Sequence, residues 1–95
     1  MGLLYLNMTQ VDKQNSITAE RVEYLRNMRH LKQNEVAKAA AMSDSLYSHK
    51  IHGRAQFMPE ELRALADFFN TSVDYLMGRT LDPWPTDIHP EGVTA

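Results

Sequence analysis

A chain of 95 residues with no cysteine, 43% apolar side chains and a formal charge of −2 fits one small domain and excludes disulfides and thiolate metal sites. The apolar run Leu3-Leu4-Tyr5-Leu6 is too short to span a bilayer and lacks the flanks of a signal peptide. A cytoplasmic protein without a membrane partner is expected.

Residues 1–17 show no sustained period and read as an N-terminal arm, in which Met8 is an alternative start. From Thr18 the pattern turns helical. Thr18 is the expected N-cap, Glu20 and Glu23 suit the first turns, and Val22, Leu25 and Met28 form the apolar face. A second helix is predicted over 33–40 with Val36, Ala37 and Ala40 inward. Ser43 starts a third, anchored by Leu46 or Tyr47 and by Ile51, and Gly53 stops it. Pro59, Glu60 and Glu61 open a fourth, with Leu62, Leu65, Ala66 and Phe69 as its stripe and Asn70 at its end. Ser72 caps a short fifth, Val73 to Met77, closed by Gly78. The domain is therefore 18–78, and residues 79–95, with three of the four prolines, read as a C-terminal tail.

Charge is unevenly distributed. Residues 29–54 carry Arg29, Lys32, Lys38, Lys50 and Arg54 against Glu35 and Asp44, whereas the last 41 residues carry two arginines against seven acids. A polyanion would meet the middle third.

The middle third also holds the stretch VAKAAAMSDSLYSHKIHG, Val36 to Gly53. Two short helices joined by a three- to four-residue turn cross closely only where small residues face each other, and Ala37 and Ala40 supply them. Asp44, Ser45, Ser48 and His49 then share one polar face of the second helix, the width that reads a major groove. Residues 21–78, through LRNMRHLKQNEVA, SDSLYSHKIHGR and FNTSVDYLMG, resemble the Xre/Cro helix-turn-helix family and are similar to phage repressors.

The resemblance implies an all-α, five-helix lambda-repressor-like DNA-binding domain between two arms. It places Asp44, Ser45 and His49 at base-reading positions, and Gln33, Ser43, Ser48, His52 and Arg54 against phosphates, with Lys50 joining them. Gln33 has a second reading as a helix-capping amide. Three departures stand out. Ala41 occupies the family's usual turn glycine, Lys50 stands at an apolar position with Ile51 expected to take the core role, and the reading face lacks the usual Gln or Arg. Asp44 can accept from cytosine N4 and His49 can donate to guanine.

The expected partner is double-stranded DNA, bound by a homodimer as a phage- or prophage-type repressor, in a bacterial or phage-encoded protein that joins the nucleoid when bound. Candidate dimer surfaces are Val73, Tyr75, Leu76 and Met77, the Leu3–Leu6 segment and Trp84, which needs a cover. With no protease-like or ligand-sensing domain expected, release would fall to an anti-repressor or other regulatory protein, or to loss of the dimer. The alternative is a protein-interaction module on the same scaffold, an antitoxin included. No cofactor is expected. His49 and His52 alone make a poor metal site, and no Gly-rich phosphate loop, paired carboxylates or catalytic triad suggests an enzyme.

Overall fold

The computed structural model describes residues 16–84, and their helices follow the local start and stop signals closely. Helix α1 occupies 16–28, α2 Gln33–Ala39, α3 Asp44–Ile51, α4 Pro59–Phe69 and α5 Val73–Leu76. There is no strand among the described residues. The Leu3–Leu6 segment and the tail beyond Trp84 lie outside them.

Side-chain and backbone caps fix the boundaries. Ser43 Oγ accepts from the Leu46 amide at 3.1 Å, and Ser72 Oγ accepts from Tyr75 at 3.0 Å. Pro59 takes the first turn of α4, where a missing N–H costs nothing, and Asn70 ends that helix at φ +55°. The start of α1 differs from expectation. Thr18 is buried inside the helix, which already runs at 16, so the expected boundary between 17 and 18 falls within an element. Nothing at Ser16 or Ile17 breaks a helix, and Ile17 packs across Gly78 at the far end of the domain.

The core gathers Val22 of α1, Val36 and Ala37 of α2, Tyr47 of α3, Leu62, Leu65, Ala66 and Phe69 of α4, and Leu76 of α5. Burying such side chains contributes roughly 1.5–3 kcal/mol for each large one. Met28, expected inward, is 62% exposed. Val22 and Leu25 carry the inward stripe of α1, and just past its end the exposed Arg29 sets its guanidinium 5.4 Å from the Phe69 ring centre and donates to the Phe68 and Phe69 carbonyls. Arg29 thus caps the C-terminal end of α4.

Candidate nucleic-acid interface

Helix α3 is held by its inner edge and presents its outer one. Tyr47 and Lys50 are buried, and Ile51 is half-buried against the core. Of the two anchors left open by sequence, Leu46 or Tyr47, the tyrosine goes inside. Asp44, Ser45, His49 and His52 are exposed on the opposite side, with Ser48 half-buried between them. Ala37 and Ala40, both buried, let α2 cross beneath this helix.

The joint between the helices is Ala40 to Ser43. Ala41 has φ +57°, the left-handed conformation that glycine adopts without penalty. Its amide bonds the Lys38 carbonyl at 3.0 Å and the Met42 amide bonds Ala37 at 3.0 Å, closing the end of α2. The turn keeps the geometry of a glycine turn and carries the strain of an alanine.

Two polar contacts fasten α3 to its neighbours. The Tyr47 hydroxyl donates to Glu23 Oε2 at 2.6 Å, and Arg26 donates to both Glu23 oxygens, at 2.9 and 2.8 Å. Arg26 is itself held by the Leu31 carbonyl at 2.7 Å. Burial by itself would raise the Glu23 pKa, but the hydrogen bonds from Arg26 and Tyr47 and the guanidinium charge hold it below the usual carboxylate range. Burial and the Glu23 carboxylate together push the Tyr47 hydroxyl well above its ordinary value. On the other flank, Lys50 Nζ pairs with Glu61 Oε1, the same oxygen that accepts from the Met58 amide at the start of α4.

A family model described as helix-turn-helix matches residues 22–76. The chain belongs to the Xre/lambda-repressor-like helix-turn-helix family. Its fold is accordingly that of a DNA-binding regulator, in a family not typically enzymatic. No curated protein matches the chain, and no solved structure does.

In this helix-turn-helix domain, Gln33 begins α2, exposed, with Nε2 3.4 Å from Glu23 Oε1. Ser43 uses an oxygen lone pair as the α3 cap, which leaves its hydroxyl hydrogen for another acceptor. His52 Nδ1 lies 2.7 Å from the Ser48 carbonyl and 3.4 Å from Ser48 Oγ. A carbonyl only accepts, so Nδ1 carries the proton and the neutral ring offers Nε2 as an acceptor. Donation from His52 to a phosphate therefore requires the imidazolium. Arg54 is exposed just past Gly53, which has φ +79°.

Two expected site residues belong elsewhere. Lys50, assigned to phosphate, is only 4% exposed and is spent on Glu61; its position on α3 faces α4, so a four-carbon stem fills the apolar slot while the ammonium finds a carboxylate. Arg29 donates to the end of α4 yet remains exposed, and with Lys32, Lys38 and Arg54 it makes up the exposed positive charge of the middle third. Leu76, assigned to a dimer surface, is fully buried because the short α5 has a single inner side to contribute to the core. Val73, Tyr75 and Met77 are half-buried around it.

Sequence reading missed the carboxylates of Glu23 and Glu61 as partners of α3. Glu23 and Arg26 stand three apart on one helix, the available local signal, but nothing local pointed to Tyr47, 24 positions away. The last described residues are docked. Arg21 donates to the Tyr75 and Thr80 carbonyls at 2.6 and 2.7 Å and lies 4.4 Å from the Tyr75 ring centre, while the Thr71 hydroxyl donates to the Pro83 carbonyl. Trp84 remains 53% exposed, beside a hollow of about 250 Å³ that it lines with Leu25, Arg29, Phe69 and Pro83. Among the described residues no three His, Asp or Glu side chains gather closely enough to hold a metal ion, and no helix is long and apolar enough to cross a membrane.

Proposed function

We propose that the protein is a sequence-specific transcriptional repressor of the phage or prophage type, binding a palindromic operator as a homodimer. The observation that carries this reading is the orientation of α3: Tyr47 and Lys50 are turned inward, leaving Asp44, Ser45 and His49 as one exposed row. Such a row fits a major groove, with Ser45 and His49 as donors to base edges and Asp44 as an acceptor from cytosine. Gln33, Ser43, Ser48, His52 and Arg54 flank it as phosphate contacts, and they supply affinity that a reading face with an acid cannot.

A single domain of this size reads one half-site, so a two-fold dimer is favoured. Val73, Tyr75, Met77 and Trp84 are the surface offered for it, supported by the exposed indole beside its apolar hollow. The deciding experiment is a mobility-shift titration against the DNA upstream of its own gene and against random DNA, over a range of salt. Preference for the upstream DNA, with affinity falling steeply as salt rises, supports the repressor. Equal, weak binding to both at low salt rejects it in favour of a protein-binding module, an antitoxin among them. Ser45→Ala with His49→Ala should abolish the preference while leaving binding to random DNA nearly intact.

A further inference from the structure

The Glu23 carboxylate serves three side chains from three helices. Its Oε2 accepts from the Tyr47 hydroxyl of α3 and from Arg26 Nε of α1; its Oε1 accepts from Arg26 Nη2 and from the Gln33 amide at the start of α2. Arg26 grips both oxygens and is tethered to the Leu31 carbonyl, so the carboxylate plane has little freedom to turn. Tyr47 lies on the inner edge of the helix whose outer edge is Asp44, Ser45 and His49. Gln33 is exposed at the start of α2, the helix that packs against α3.

We propose that Glu23 is a positioning residue for DNA recognition, linking the rotation of α3, through Tyr47, to the orientation of the Gln33 amide. The inference rests on the DNA-binding reading above and deepens it. With one Nε2 hydrogen directed to Glu23 at 3.4 Å, the second is left for a phosphate, and a flipped amide would present its oxygen to the carboxylate. With the phenol donating to the same carboxylate, α3 has one preferred rotation about its own axis. Phosphate register and base register are then set by a single group. Neither Glu23 nor Tyr47 touches DNA in this arrangement.

The test uses the full chain and three variants. Tyr47→Phe removes the hydroxyl and keeps the packed ring; Gln33→Ala removes the amide; Glu23→Gln keeps the shape and reverses half of its hydrogen bonding. Affinity for the upstream DNA is expected to fall roughly tenfold in Tyr47→Phe, the loss of one hydrogen bond to a charged group, and by more than the affinity for random DNA. In the Tyr47→Phe, Gln33→Ala cycle the two losses should be non-additive by roughly threefold or more, although each residue reaches the other through Glu23. Additive losses, or a lowered melting temperature with discrimination unchanged, overturn the proposal and leave Glu23 a purely structural anchor.

A second measurement does not depend on DNA. In the free protein, the Gln33 side-chain amide resonances should shift in both Tyr47→Phe and Glu23→Gln, and constancy in either variant breaks the linkage. A wild type with no preference for the upstream DNA defeats the repressor reading, in which case these resonances alone decide whether the carboxylate couples the two helices.

Discussion

At Ala41 a single methyl group sets a local cost. A left-handed alanine is disfavoured by about 1–2 kcal/mol. Glycine relieves that strain but loses roughly 0.5–1 kcal/mol through the greater freedom of its unfolded chain. Ala41→Gly should therefore stabilise the domain by about 0.5–1 kcal/mol, read as a raised urea midpoint with an unchanged slope. The two glycines among the described residues, both with positive φ, give the opposite sign and differ from each other. At Gly53 a Cβ would meet nothing within 4 Å, so Gly53→Ala should cost about 1 kcal/mol of backbone strain alone. At Gly78 the same atom would stand 2.6 Å from Ile17 Cγ2, so Gly78→Ala should cost clearly more and loosen the start of α1. Ala41 was flagged by its place in the turn; the Gly78 clash requires two residues 61 positions apart and could not be read locally.

Among the elements, α3 is the least self-sufficient. Its inner edge is a tyrosine, a lysine and a half-covered isoleucine, so its placement depends on carboxylates from α1 and α4. The Lys50–Glu61 pair can be separated into its parts. Glu61→Ala strands a buried ammonium and removes the acceptor for the Met58 amide, and a loss on the order of 3–5 kcal/mol is expected in urea unfolding. Lys50→Met keeps the length of the stem and leaves Glu61, still hydrogen-bonded to Met58, and should cost distinctly less. The same variant should leave the salt slope of DNA binding unchanged, because Lys50 reaches no phosphate. Arg54→Ala should lower that slope by about one, the signature of a lost phosphate contact.

For the whole molecule, the Glu23–Tyr47 contact links folding to pH at both ends of the scale. Glu23 has its pKa lowered on folding, so its contribution is complete above the unfolded carboxylate value of about 4.3 and is lost as pH falls through the folded value. Tyr47 is raised on folding, so its contribution is complete below the unfolded phenol value of about 10 and is lost as pH climbs further, where the unfolded chain gives up a proton that the folded one keeps. Melting temperatures measured across pH should therefore fall at both extremes. Tyr47→Phe should flatten the alkaline limb, and Glu23→Gln should flatten the acid one. A wild-type alkaline limb that persists in Tyr47→Phe would assign it to another group.

Helices α3, α4 and α5 were legible because local signals bound them: Ser43 and Ser72 as caps, Pro59 at a first turn, Asn70 and Gly78 as left-handed stops, whereas the expected Thr18 cap lies inside α1. The polar row on α3 was equally legible, since the order of residues on a helix fixes which of them share a side. Sequence order alone could not say how far that helix is rotated about its axis. Lys50 and Arg54 are both cations four residues apart, yet one is sealed against Glu61 and the other faces solvent. Leu76 likewise reads as a surface apolar residue on a short helix until the core closes over it. Local chemistry determined where the helices begin and end and what chemistry α3 carries. Tertiary packing decided which cations remain free to meet a polyanion and which acid holds α3 in place, because burial and long-range pairing depend on the other helices and not on neighbours in the chain.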